Sequence, residues 1–360
     1  VTLGSATPDV VSFFKGKTGT YSLLRLPERV TQANVGSDTN DAGETLSASV
    51  AQKSDGFGLP PVEVVDMRAE LRAGNRGIFS HSLLAGIDRA LSAGEQSILF
   101  INRRGAATLV LCRDCGYVVK CRRCEVTMAY HGVEDRWPEG GVMVCHRCNR
   151  RTKPPVVCPR CNGRRIRYFG VGTQRVEAEV KRLFPGARVL RWDRDTTRRP
   201  SDHLSILRAF AAHEVDVLVG TQMVAKGLDF PLVTLVGVID ADTAIHLPDL
   251  RAGERTFQLL TQVAGRAGRA ELGGRVIVQT YSPDHYCVRA ASRHAYEEFY
   301  SREVEFRREH GYPPWNQLAK LVYTNFGEER CRTEAERVAG DLRSRVGRLG
   351  LSNIEVVGPA

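Results

Sequence analysis

The sequence predicts an α/β fold: a parallel sheet covered on both faces by helices, with a cysteine-rich segment inserted into it and a small α+β region after it. Three observations predict this. Short apolar runs rich in Val, Ile and Leu alternate with amphipathic stretches of helical length between Val62 and Thr280, the pattern of strands joined by helical crossovers. Eight of the ten cysteines fall into four C-x2-C pairs between Cys112 and Cys161. Past Pro283 the alternation gives way to longer, charged helical stretches.

Taken in order, Gly4-Ser5-Ala6-Thr7-Pro8 reads as a loop. A helix over Asp9 to Phe14 follows, with Thr7 as its cap and Pro8 at its first position, and then a strand over Tyr21 to Leu26. Residues 31 to 58 are rich in Ser, Asp, Thr, Gly and Asn without apolar periodicity, the composition of a flexible insertion or linker. Next come a strand at Val62 to Val65, a helix from Ser80 to Ala93 and a buried strand at Ser97 to Ile101. After the cysteines the reading is helix Gln174 to Phe184, strand Arg188 to Trp192, helix Asp202 to His213 and strand Val215 to Val219. Strand Val233 to Ile239, helix Glu254 to Ala264 and strand Arg275 to Thr280 complete the sheet. The last part reads as a helix from His294 to His310, stopped by Gly311 and Pro313-Pro314. A strand at Leu318 to Thr324, a helix at Glu328 to Val346 and a strand at Asn353 to Val357 follow.

A C-x2-C turn brings two thiolates to one side of a tight loop, and two such turns complete a tetrahedral sulfur site. Four turns therefore read as two closed zinc sites that hold structure and leave no position open for substrate. A disulfide framework fits poorly, because such scaffolds belong to small secreted domains and this 360-residue chain shows no signal-peptide pattern. Spacing alone allows the pairs to group as neighbours or as a nest. Cys287 and Cys331 stand apart and read as buried small hydrophobes.

With 42% hydrophobic and 26% charged residues the chain has ample core and is not disordered as a whole. Its net charge of +10 is concentrated: residues 103 to 167 hold fifteen Lys and Arg against five Asp and Glu. Eight thiolates with two Zn2+ would bring this segment to about +6. A basic surface of that kind attracts a polyanion, most simply nucleic acid. No long apolar run reads as a membrane span, so the expected location is cytoplasmic. The strand-like beginning and end read as those of a chain cut from a longer one.

Three stretches resemble helicase motifs: Gly4 to Pro8 motif III, Val219-Gly220-Thr221-Gln222-Met223 with Lys226-Gly227-Leu228-Asp229-Phe230 motif V, and Gln262 to Arg269 motif VI. Arginine from outside a nucleotide loop can stabilise phosphoryl transfer, and Gln262, Arg266 and Arg269 recur at helical spacing. Gly265 and Gly268 end or open that helix. Gly220 and Thr221, after a strand, offer N–H groups and a hydroxyl to a nucleic-acid phosphate. Gly16-Lys17-Thr18 is not a phosphate loop, because Val11 stands where the motif needs glycine. Ile239-Asp240-Ala241-Asp242 looks like an acidic metal site but reads as structural.

Together with Phe100-Ile101-Asn102-Arg103-Arg104-Gly105, Phe169-Gly170-Val171-Gly172-Thr173, Arg191 to Thr197 and Gly311-Tyr312-Pro313-Pro314-Trp315, the pattern resembles the PriA-type replication-restart DNA helicases over the whole chain. The resemblance implies a RecA-like second helicase lobe with an inserted two-zinc ribbon and a partial α+β C-terminal domain. It divides the chain into the end of lobe 1 (1–30), a flexible insertion (31–58), lobe 2 (59–109 and 166–285), the zinc insertion (110–165) and the start of the C-terminal domain (286–360). It implies nested zinc sites, Cys112, Cys115, Cys158 and Cys161 holding one ion and Cys121, Cys124, Cys145 and Cys148 the other. It implies catalytic roles for Arg266, Arg269 and Gln262, nucleotide contacts at Gly227 and Asp229, and DNA contacts at Gly220, Thr221, Gln222 and Lys226. The implied activity is ATP- and Mg2+-dependent 3′ to 5′ unwinding at stalled forks. The implied partners are branched or single-stranded DNA, primosome proteins and single-stranded-DNA-binding protein, in a bacterial cytoplasm at the nucleoid, without membrane. The family's phosphate loop and Asp-Glu-x-His motif are absent from these 360 residues, so the chain alone is expected to be inactive. The alternative is a non-enzymatic zinc module that binds DNA or primosome proteins.

Overall fold

A computed structural model describes residues 2–26, 59–102, 109–132, 141–169, 172–193, 195–197, 199–221, 230–266 and 274–359. They belong to two compact units, 1–58 and 59–360. In the first unit, helix α1 (Val10–Lys17) is capped by Asp9, whose carboxylate accepts from the Ser12 N–H at 3.0 Å. The expected start with Thr7 as cap is therefore displaced: a carboxylate closer to the first turn wins the orphan N–H. Residues 21–26, expected as a strand, are exposed and form no strand among the described residues. The insertion expected at 31–58 lies outside the described residues.

In the second unit, β1 (Val62–Asp66), α2 (Met67–Arg72), α3 (His81–Ser92) and β2 (Gln96–Ile101) enter the sheet in turn. Ser80 caps α3 by accepting from the Leu83 N–H. An insertion carries β3 (Leu109–Cys112), β4 (Ala129–His131), β5 (Val142–Val144), β6 (Arg151–Thr152) and β7 (Ile166–Phe169). The sheet resumes with α4 (Thr173–Leu183), β8 (Val189–Trp192), α5 (Pro200–Ala211), β9 (Val217–Gly220), β10 (Val233–Asp240), α6 (Asp242–Ile245), α7 (Ala252–Ala264) and β11 (Arg275–Thr280). Helices α8 (Tyr286–Ser292), α9 (Tyr296–Glu309) and α10 (Glu328–Arg348) close the chain.

Six strands form one parallel sheet in the order β1-β11-β10-β2-β9-β8. The most apolar strands are central: every residue of β2 is buried, and all but one of β10. Leu99, Ile101, Val217, Val219, Leu235, Ile239 and Ile277 pack against Leu83 and Ile87 of α3 and Val176 and Val180 of α4. This buried apolar area is the main source of the sheet's stability, about 25 cal/mol for each Å².

The insertion leaves and returns as an antiparallel stem, β3 on β7, with Cys112 opposite Ile166. Beyond the stem, β4, β5 and β6 make a second antiparallel sheet. The helix expected from His294 to His310 is α9, and a short helix not expected from the sequence, α8, precedes it, the two parted by His294, which turns left-handed at φ 54°. Residues 318–324 and 353–357, expected as strands, are without strand partners among the described residues. Their apolar side chains, Leu321 and Val322 among them, stay largely exposed.

Candidate metal centres and motor face

The four C-x2-C turns are four copies of one object. In each, the residue after the second cysteine donates its N–H to the carbonyl of the first: Gly116 to Cys112, Glu125 to Cys121 and Asn149 to Cys145 at 2.8 Å, and Asn162 to Cys158 at 2.9 Å. Those four residues all have positive φ, between 53° and 74°. The N–H of each first cysteine goes in turn to the carbonyl five residues on, at Tyr117, Val126, Arg150 and Gly163. Each knuckle thus lifts two sulfurs to one side and turns backbone N–H groups toward them. Those of Cys115 and Asp114 reach the Cys112 sulfur, and those of Cys161 and Arg160 the Cys158 sulfur.

The knuckles meet as two quartets, Cys112, Cys115, Cys158 and Cys161 (outer) and Cys121, Cys124, Cys145 and Cys148 (inner), with all sulfurs of a quartet within 4.8 Å of one another. The stem sets this nesting: closing β3 on β7 brings the first and last pairs together and leaves the middle pairs to each other. Sulfur separations of 3.7 Å recur at Cys112–Cys161, Cys115–Cys158 and Cys121–Cys148. Four thiolates at about 2.3 Å from a zinc ion stand about 3.8 Å apart, whereas a disulfide needs about 2.05 Å. All ten cysteines are free thiols. Burial pushes Cys112 up to about 12 and raises Cys124 and Cys145. Burial also opposes ionisation of Cys148, but the Arg150 N–H and the neighbouring thiols outweigh it and bring that thiol to about 7. Buried sulfurs crowded in this way call for a cation, and a soft, tetrahedral one fits the donor set.

Each quartet is seated on a tyrosine. The outer knuckle lies on Tyr281, just past β11, within a cluster of Met67, Leu109, Leu111 and Val118. Arg113 Nε donates to Tyr281 Oη at 2.8 Å. Gly116 abuts the Tyr281 carbonyl, where a Cβ would collide, and its φ of 74° favours glycine independently. The inner knuckles hold Tyr312, whose hydroxyl accepts from Arg147 and donates to the Cys124 carbonyl.

On the sheet, Gly220 ends β9 in a buried position, and the Thr221 N–H points to the Trp192 carbonyl at 3.4 Å. Gln222, Lys226, Gly227, Asp229 and Arg269 lie outside the described residues. Gln262 is exposed on the last turn of α7, and half-buried Arg266 follows one turn on. The helix ends at Gly265, with the Arg266 N–H still bonded to the Val263 carbonyl at 3.0 Å.

Asp240 and Asp242 are wholly buried pins at the end of β10. Asp240 accepts from the Thr243 N–H at 3.1 Å, and Asp242 Oδ2 from the Tyr281 N–H at 2.7 Å. Burial, with the Asp240 charge behind it, pushes Asp242 up to about 7, and burial brings His246 down to about 3. Sequence reading passed over a second knot: Asp193 holds the Thr173 hydroxyl, the first residue of α4, and the N–H groups of Asp195 and Thr196. The repeated Asp and Thr of Asp193 to Thr197, a common turn chemistry, are the signal that could have found it.

The class that the fold and site define is a parallel RecA-like lobe interrupted by two tetra-cysteine centres. The model for "Helicase conserved C-terminal domain" accordingly matches residues 156–271. Within that class, the chain is homologous to the replication restart protein PriA of several bacteria. It is 43% identical to PriA of Bacillus subtilis over 360 residues, all of this chain and 40% of that protein. It is 43% identical to the Synechocystis protein over 302 residues, 84% of this chain and 36% of that protein. It is 38% identical to that of Treponema pallidum over 359 residues, 99% of this chain and 48% of that protein. The chain thus spans less than half the length of these relatives. Among the described residues no helix is long and apolar enough to cross a membrane.

Proposed function

We propose that these residues serve as the second motor lobe of an ATP-dependent 3′ to 5′ DNA helicase that restarts stalled replication forks in a bacterial cytoplasm. The likeness to PriA along the whole chain carries this reading. In it, Arg266 and Arg269 stabilise charge on the transferring phosphoryl group from across a cleft, with Gln262 orienting the same face. Gly227 and Asp229 line the nucleotide, with ATP and Mg2+ supplied at the facing lobe. Gly220, Thr221, Gln222 and Lys226 hold the DNA backbone, a contact that positions without reading sequence. Two Zn2+ in the cysteine quartets close the insertion and take no part in the chemistry. The basic insertion, with Arg122, Arg123, Arg150 and Arg151 exposed and Arg147 half-buried, meets fork DNA or primosome proteins, single-stranded-DNA-binding protein among them.

The test is DNA-stimulated ATP hydrolysis by the protein expressed from its own gene. Arg266→Ala is expected to lower turnover by about 10³ or more while DNA binding stays. A protein that binds DNA and zinc but shows no ATP turnover in any form is instead a binding module.

A further inference from the structure

Helix α7 carries a glycine in its first turn, where a helix gains nothing from one. A Cβ at Gly253 would run into the Tyr286 hydroxyl and the Glu303 carboxylate. The residue is set by how closely α8 and α9 approach, and the groups it admits close a buried network. Arg307 of α9 is wholly out of water. Its Nε donates to Glu303 Oε1 at 2.8 Å and its Nη2 to Glu254 Oε2 of α7 at 2.7 Å. The Tyr286 hydroxyl donates to the other Glu303 oxygen.

From Arg307 the network continues toward the insertion. The Tyr312 N–H donates to the Arg307 carbonyl at 2.7 Å, and Tyr312 is itself buried. Its hydroxyl accepts from Arg147 and donates to the Cys124 carbonyl, and the Arg147 guanidinium lies 4.6 Å over its ring. Arg147 and Cys124 belong to the two knuckles of the inner quartet, and the Arg147 N–H reaches the Cys145 sulfur. Two side-chain links and one short turn of backbone therefore join α7 to the inner sulfurs. Apolar side chains of the same volume would hold three helices together as firmly. A planar fork shared by two carboxylates fixes direction as well.

We propose that Arg307 and Tyr312 lock helix α7 to the inner cysteine quartet as one rigid unit. Arg307 is then a positioning residue for Gln262 and Arg266, and a filled inner quartet is a condition of its hold. The inference rests on the zinc reading of the quartet and is independent of ATP turnover.

Hydrogen exchange on the zinc-loaded chain tests it, reading amides of α7 from Leu259 to Ala264 against those of α3 from Leu83 to Ala90. Tyr312→Phe and Cys148→Ser are each expected to speed α7 exchange about tenfold, the scale of a lost buried hydrogen bond, and to leave α3 unchanged. Tyr312→Phe is also expected to hasten release of one of the two zinc ions to a chromogenic chelator. Unchanged α7 exchange in both variants would overturn the lock, as would α7 and α3 rising together, which marks global loosening. Zinc content of the same samples separates the premises. A wild-type chain holding no zinc refutes the metal reading, and a loaded chain whose α7 ignores both substitutions refutes the lock alone.

Discussion

Arg307 Nη2 stands 2.7 Å from Glu254 Oε2 where α9 crosses α7, and the two side chains are 0% and 6% exposed. Glu303 completes the group at 2.8 Å, so one buried guanidinium answers two carboxylates. Removing it leaves uncompensated charge in the core. Arg307→Met is therefore expected to cost about 3–5 kcal/mol, read as a shift of the urea midpoint at constant slope. A loss below about 1 kcal/mol would mean that the carboxylates find other partners.

Asp242 and His246 give stability opposite pH slopes. A carboxyl raised from 3.8 to about 7 by burial keeps its proton in the folded chain after the unfolded chain has lost it. Its contribution is complete below pH 4 and declines as pH rises toward 7. A histidine lowered from 6.5 to about 3 by burial stays neutral in the fold, so stability falls as pH drops from 6.5 toward 3. Asp242→Asn removes the first slope, and its stability relative to wild type is expected to improve steadily between pH 4 and 7. Urea titrations across that range check it, and a difference independent of pH would show that Asp242 is ionised in the fold.

Glu125 has φ 53° at a position where the other three knuckles place Gly116, Asn149 and Asn162. Left-handed backbone costs an ordinary side chain about 1 kcal/mol. Glu125→Gly is expected to recover most of that and raise the melting temperature by about 2–4 °C without changing metal content. A lower melting temperature would mean that the glutamate side chain contributes more than its backbone costs.

The sheet was legible in the sequence because its central strands are buried, so that Ser97–Ile101 and Val233–Ile239 read as largely apolar runs bounded by loops. The cysteine knuckles were legible because spacing alone dictates their turn. Their nesting was left open by spacing, since it depends on the β3–β7 stem, a pairing between segments more than fifty residues apart. Residues 21–26, 318–324 and 353–357 alternate like strands, but alternation describes a face and says nothing of a partner. Helix α8 was hidden because its seven residues, Tyr286–Ser292, are too few to show a helical period. Glu254, Glu303 and Arg307 were hidden too: charged residues on a helix look the same whether they face water or one another.

Metal content follows from the two quartets. Two zinc ions per chain are expected in protein purified without chelator, and one in either Cys161→Ser or Cys148→Ser, since the quartets share no ligand. Elemental analysis checks the stoichiometry. Loss of both ions from one substitution would show that the sites fill only together.

Whether this lobe belongs to a DNA-driven motor is decided by ATP hydrolysis with and without forked DNA, in the natural protein and its Arg266→Ala variant. Turnover is expected to be stimulated by DNA and lowered about 10³-fold or more by the substitution, with zinc content and DNA affinity retained. Equal turnover in the two proteins, or none in the natural protein under conditions where it binds forked DNA, would contradict it.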